Sequence, residues 1–219
     1  MKELPALVNI VDDDEAVRSA MRLLLKSVGL PAVAYASAQQ FLDSYDPSYP
    51  GCVVLDVRMP GMSGLELQQL LNLRGAMIPV IFITGHGDVP MAVEAMQHGA
   101  FDFLQKPFRD QDLLERVQRA LTKDRANRVQ LRERHRLRER RDSLTHRERE
   151  ILNLMTRGKP NKVMAADLGV SQRTVEIHRA RVMEKMHAAS LAQLVRMAMD
   201  LDQDTAPPRD SSTAMAAKG

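Results

Sequence analysis

Five residues in the first half of the chain carry groups that belong together chemically: the carboxylates of Asp12, Asp13 and Asp56, the hydroxyl of Thr84 and the ammonium of Lys106. Clustered carboxylates repel one another and hold a hard divalent cation. Mg2+ (or Mn2+) suits a few carboxylates and keeps several waters. Such a cation beside Asp56 would screen its charge, so the carboxylate could attack an electrophilic phosphorus. Thr84 could then donate a hydrogen bond to the phosphoryl group, and Lys106 could pair with it as a point charge. Each residue also has an ordinary role. Asp13 or Asp14 can cap the helix that follows, and for Asp14 that is the better reading. A lone Thr at a strand end is usually structural, and a lone Lys before Pro is usually solvated. Only the joint placement points to a site.

That placement depends on the elements around it. Apolar runs of strand length occur at Leu7–Val11, Ala32–Tyr35, Cys52–Leu55, Val80–Thr84 and Asp102–Gln105. They are rich in Val and Ile, and most are bounded by Gly, Pro or Asp. Between them, helical spacing joins Val17, Met21, Leu24, Leu25 and Val28. It also joins Leu65, Leu67, Leu70 and Leu71, then Ala92, Val93 and Met96, and lastly Leu113, Leu114, Val117 and Leu121. Strands alternating with helices predict β-α-β units and a doubly wound, five-stranded parallel sheet over residues 1–121. Ligands bind such sheets at the carboxyl ends of the strands, near the switch in strand order. Asp12 and Asp13 follow the first strand, Asp56 the third and Lys106 the fifth, and Thr84 ends the fourth.

The 219 residues suffice for two domains, each with a core of ordinary size. No apolar run approaches the length of a membrane span, and Asp12–Asp14 precede any signal-peptide core. Cys52 is the single cysteine, which excludes an internal disulfide and a multi-cysteine metal site. Together these features predict a cytoplasmic protein. The net charge of +3 conceals an asymmetry. Residues 1–121 hold 10 Lys+Arg and 15 Asp+Glu, a net of −5, whereas residues 143–201 hold 10 and 6, a net of +4. The intervening residues 122–142 hold 9 and 4, a net of +5, with no Gly or Pro and no sustained heptad. They read as a solvated helical linker extending the last helix of the first domain. Residues 202–219 have no periodicity and read as a disordered tail. An acidic front joined to a basic back suggests two jobs, the second on a polyanion.

Residues 143–201 are helical throughout in pattern. Ser143 or Thr145 can cap a first helix, with Glu148 completing a capping box after Thr145. Lys162–Leu168, Gly169 and then Ser171 to about Met186 have the form of a helix-turn-helix, and Ser190–Leu201 follows. Val163, Ala166 and Leu168 are expected to face inward on the first helix, and Val175 and Val182 on the second. Arg173, Thr174, Glu176, Ile177, Arg179, Ala180 and Lys185 then lie mostly outward, which suits a helix in the major groove. Other suggestive residues have plain readings. His86 and His98 lack partners at ligand spacing. Cys52 suits a small buried hydrophobe. The 14 Met residues are scattered, and Gly61 and Gly64 form no phosphate loop.

The segments NIVDDDEAVR, VVLDVRMPGMSG, FITGHGD and FDFLQKPF resemble the signatures of response-regulator receiver domains, and ITGHGDVPMAVEAM resembles the FixJ subgroup. The stretch from Ser143 to Ala198 resembles the LuxR/FixJ-type DNA-binding domain along its whole length. The resemblance implies a flavodoxin-like receiver joined by the linker to an all-α helix-turn-helix domain. It implies that Asp56 accepts phosphoryl from a cognate sensor histidine kinase. It further implies that Asp12, Asp13, Asp56 and the backbone carbonyl of Arg58 hold Mg2+, that Thr84, Phe103 and Lys106 form a phosphate-sensing switch, and that the Lys106–Pro107 peptide is cis. On the second domain it implies that Glu176, Ile177 and Ala180 meet base edges while Lys162, Arg173, Thr174, Arg179 and Lys185 meet the DNA backbone. The expected function is a two-component transcriptional regulator, not an enzyme, that dimerises on phosphorylation, binds an inverted-repeat operator and has RNA polymerase as a further partner, with no membrane. Two rivals remain open. A phosphatase or phosphotransferase would use Asp56 for turnover but needs an acid/base where Arg58 stands. An RNA-binding antiterminator would share the first domain but carry a different helical output.

Overall fold

The computed structural model describes residues 5–85 and 89–202, which fall into two compact units, Met1–Val129 and Gln130–Gly219. The first unit is built from β1 (Leu7–Val11), α1 (Glu15–Ser27), β2 (Ala32–Tyr35), α2 (Ala38–Ser44), β3 (Gly51–Asp56), α3 (Gly64–Leu73), β4 (Val80–Thr84), α4 (Val89–Gln97) and β5 (Asp102–Gln105), with α5 (Asp110–Asp142) following. Every strand pairing is parallel, and the order is β2-β1-β3-β4-β5. The order reverses between β1 and β3, so the crevice of the fold opens where Asp12 and Asp56 end their strands.

The central strands are covered on both faces, and their composition shows it. All six residues of β3 and all five of β4 are buried, as continuous apolar runs in parallel sheets require. Alternation then sorts them. Val53, Leu55 and Phe82 pack with Phe41, Leu67 and Leu71 in one cluster, whereas Val54, Ile81 and Ile83 pack with Leu25, Leu113 and Val117 in another. The five strands lie where the apolar runs place them, with β3 extended by one residue at each end, so that Asp56 belongs to the strand itself. The helix α2 has no counterpart in the helical spacing. It spans 7 residues and buries only Ala38 and Phe41, too few to show a period, although Ser37 caps it by accepting from the Gln40 amide.

The stretch 122–142 is helical and mostly exposed, with two buried residues. It is the later part of one 33-residue helix, α5, and the unit boundary falls inside it, after Val129. Asp124 is 1% exposed within the first unit, and Leu137 joins the apolar core of the second. The high charge of the segment hides both residues from a compositional reading.

The second unit continues with α6 (His146–Thr156), α7 (Asn161–Leu168), α8 (Gln172–Lys185) and α9 (Leu191–Asp202). Thr145 and Glu148 form the expected capping box on α6. Gly169, at φ 65°, ends α7 in the left-handed region that a side chain resists, and Ser171 caps α8. Ile151, Leu152, Met155, Val175, Val182, Met186 and Leu194 make the core. On α7, Met164 and Ala165 are buried and Ala166 is exposed, so the inward face is turned from the one expected. Met164 fills the core with no exposed surface. The tail lies outside the described residues, save for the end of α9.

Candidate functional site

Asp12 emerges from β1 with 1% exposure, held from three sides. Its main-chain carbonyl accepts from Arg18 Nη1 at 2.7 Å, its Oδ1 from the Asp14 amide at 2.9 Å, and its Oδ2 from Lys106 Nζ at 2.9 Å. Asp14 is spent on capping α1, accepting from the Ala16 and Val17 amides. Asp13 is exposed. Arg18 escaped the sequence reading. It is 9% exposed, pairs with Glu15 and fixes the Asp12 backbone. The only sequence signal was a cation placed on the buried face of an amphipathic helix.

Asp56 is 8% exposed. Its Oδ1 accepts from Lys106 Nζ at 2.7 Å and its Oδ2 from the Arg58 amide at 2.7 Å. Lys106 reaches both acids because β5 ends beside β4. Its amide donates to the Thr84 carbonyl at 2.7 Å, and the Lys106–Pro107 peptide is cis. Thr84 is buried at the end of β4, and its hydroxyl donates to the Gly85 carbonyl at 3.0 Å. Phe103, in register with Phe82, is 40% exposed. Gly64 completes the floor: a Cβ there would lie 2.2 Å from the Asp56 carbonyl oxygen.

The electrostatics follow from this packing. Burial raises the Asp56 carboxyl above its ordinary value, against the hydrogen bond and charge of Lys106. For Lys106, burial works downward, but the carboxylates of Asp56 and Asp12 outweigh it and hold the ammonium charged. The crevice is thus a pair of carboxylates on a single ammonium, with each acid oriented by a backbone amide. It can present a nucleophilic oxygen and a cation to an incoming anion. Among the described residues, no three His, Cys, Asp or Glu side chains are grouped as a metal-binding set. Asp12 and Asp56 turn to Lys106 instead. His86 lies outside the described residues. His98 is exposed, with its Nδ1 2.9 Å from the Glu94 carbonyl. Burial pushes the Cys52 thiol up to about 12, so it is inert.

On the second unit, α8 presents Arg173, Glu176, Ile177 and Ala180 as exposed residues, with Lys162 exposed on α7. Thr174 and Arg179 are half-buried, and the Thr174 hydroxyl lies 2.8 Å from Ser171 Oγ in the cap. Lys185, expected to meet a phosphate, is paired within the unit. Its ammonium donates to the buried Glu148 carboxylate at 2.7 Å and to the Ser143 carbonyl at 3.3 Å. A buried carboxylate needs a partner, and Lys185 supplies it. His178 is half-buried.

Residues 8–118 match the family described as response regulator receiver domain, and residues 142–198 match the bacterial regulatory proteins of the luxR family. The chain is 50% identical over 192 residues to the transcriptional regulatory protein FixJ of Azorhizobium caulinodans, covering 88% of this chain and 91% of that protein. The chain belongs to the FixJ/NarL-type response regulators. Nodulation protein W of Bradyrhizobium diazoefficiens is 47% identical over 196 residues, covering 90% of this chain and 86% of its own. Among solved structures, the response regulator StyR is similar at a TM-score of 0.81 and 42% identity, covering 89% of this chain and 98% of that one. Full-length FixJ from B. japonicum is similar at 0.57 and 40%, covering 91% and 98%. This response regulator is therefore a transcriptional regulator of a two-component system, with a receiver and a LuxR-type DNA-binding domain. The phosphatase and antiterminator readings give way to it. Among its described residues, no helix is long and apolar enough to cross a membrane.

Proposed function

We propose that Asp56 accepts a phosphoryl group from the phosphohistidine of a sensor kinase and that this controls operator binding by the second domain. The observation that carries the reading is Lys106 Nζ, held at 2.7 Å from Asp56 and 2.9 Å from Asp12 across three strand ends. In the transfer, a carboxylate oxygen of Asp56 forms a bond to phosphorus. The phosphorus–nitrogen bond to the kinase histidine breaks, and its electron pair stays with the imidazole. Lys106 offsets the charge on the arriving group. The Thr84 hydroxyl, now donating to Gly85, is the donor free to turn toward the phosphoryl oxygens, and Phe103 is the exposed aromatic that would follow it. The donor set is all oxygen and suits Mg2+ or Mn2+, with Asp12, Asp13, Asp56 and the Arg58 carbonyl as its holders. A bound divalent cation would screen the carboxylates and the phosphoryl oxygens from one another.

The phosphorylated receivers then pair, and two DNA-binding domains read an inverted repeat. Glu176, Ile177 and Ala180 face base edges, while Lys162, Arg173, Thr174 and Arg179 lie toward phosphates. RNA polymerase is the downstream partner. The test is labelling with acetyl phosphate in the presence of Mg2+. The wild type takes up one base-labile phosphoryl group per chain, and Asp56→Asn takes up none. Equal labelling of the Asn variant, or undiminished labelling in excess chelator, overturns the assignment.

A further inference from the structure

Charge runs in the linker invite the view that it is merely solvated, yet two of its residues tie it into the receiver. Asp124, 1% exposed, accepts from the Gly51 amide at 2.9 Å and from Arg128 Nε at 2.7 Å through the same oxygen, Oδ2. Arg128 spends the rest of its guanidinium on three consecutive carbonyls. Its Nη1 donates to Pro47 at 3.0 Å and to Ser48 at 3.1 Å, and its Nη2 donates to Tyr49. The next carbonyl, Pro50, accepts from the Leu7 amide at 2.9 Å. The main chain from Pro47 to Gly51 is therefore bonded to α5 or to β1 at every step. No side chain can replace Gly51 there, since a Cβ would lie 2.0 Å from the Leu7 carbonyl oxygen.

The place of this arrangement in the fold gives it meaning. Gly51 begins β3, and Asp56 ends it. The strand that carries the phosphoacceptor is thus held at its far end, about 17 Å away, by the helix that continues to Asp142. A guanidinium fork on three carbonyls, backed by a buried carboxylate, allows one rotation of the helix about its axis and no other. A point charge would not specify it. Packing of apolar residues alone would hold the helix without fixing its rotation so closely.

We infer that Asp124 and Arg128 are positioning residues that set the rotational register of the linker helix on the receiver, and that phosphorylation reaches the DNA-binding domain only while this clamp holds. The inference rests on Asp56 being the phosphoacceptor. The experiment uses the full chain: wild type, Arg128→Ala and Arg128→Lys. Each is assayed for labelling by acetyl phosphate and for affinity, with and without label, toward a duplex selected from random DNA by the phosphorylated wild type. Labelling stays within about twofold of wild type in both variants, as does affinity without label. The gain in affinity on labelling falls by about tenfold in Arg128→Ala, a coupling of ordinary size for linked sites. It is partly restored in Arg128→Lys, which keeps the ion pair to Asp124 but cannot span three carbonyls. A merely structural role would lower the unfolding midpoint and leave that gain unchanged. If Arg128→Ala fails to fold, Arg128→Lys carries the test alone, and an undiminished gain in it overturns the clamp. A wild type that takes up no phosphoryl group overturns the reading of Asp56 and the clamp together. A normally labelled Arg128→Ala with a wild-type gain overturns only the clamp.

Discussion

Lys185 and Glu148 illustrate how one side chain's role depends on its partner. Lys185 reads as a cation for DNA, but Glu148 is 2% exposed and lies 2.7 Å from its ammonium. The Lys185 hydrogen bond, aided by the Thr145 cap and set against burial, lowers the Glu148 carboxyl from 4.5 to about 2. A carboxyl lowered by folding stabilises fully above its unfolded value and stops doing so as pH falls through its folded one. The pair therefore contributes in full above about pH 4.5 and is lost progressively down to about pH 2. Acid unfolding of the second unit is expected to show this limb, and Glu148→Gln to remove it. Lys185→Ala is expected to cost roughly 2 kcal/mol of stability in urea titration while leaving the salt dependence of DNA binding unchanged. Arg173→Ala, by contrast, is expected to leave stability alone and to lower the salt slope by about 1. A fall in slope for Lys185→Ala as large as for Arg173→Ala would restore it to the interface.

Two elements place the chemistry. α3 begins so close to β3 that only Gly64 fits, with 2.2 Å between an added Cβ and the Asp56 carbonyl oxygen. Backbone cannot yield as a side chain can. Gly64→Ala is expected to destabilise the receiver by roughly 2–4 kcal/mol and to slow phosphoryl uptake, read by thermal unfolding and labelling in parallel. An unchanged midpoint would mean that α3 shifts freely. On α8, Glu176 is exposed on the face that carries Ile177 and Ala180. A carboxylate near phosphates is repelled, so it calls for a cytosine amino group or an Arg to orient. Glu176→Ala is expected to relax preference at one base pair per half-site by about 1–3 kcal/mol, with non-specific affinity level or higher. Selection from randomised half-sites decides it, and identical preferences for both proteins would assign the reading to other residues or to DNA shape.

For the whole molecule, the boundary inside α5 changes where the receiver ends. A fragment of residues 1–121 omits Asp124 and Arg128 and leaves the Gly51 amide and the carbonyls of Pro47, Ser48 and Tyr49 without those partners. A fragment of residues 1–129 keeps them all. The longer fragment is expected to be more stable by at least about 2 kcal/mol, because hydrogen bonds to charged groups are each worth a sizeable part of that. Urea unfolding of the two fragments side by side measures the difference, and equal midpoints would return these residues to the solvated linker.

Residue types and short periods determined much of this protein. The five strands, the capping box of Thr145 and Glu148, the turn at Gly169 and the polar residues at the strand ends all follow from neighbours a few positions apart, where backbone geometry alone dictates what can form. Helix α2 was lost to the same rule, because 7 residues carry too little period to be read. What tertiary structure alone decided involves partners distant in sequence. Lys185 meets Glu148 across 37 positions, and Asp124 meets Gly51 across 73. A charged side chain looks the same in a sequence whether it faces water or a buried acid. Desolvation distinguishes the two, by making an unpaired buried charge so costly that the fold must bring it a partner.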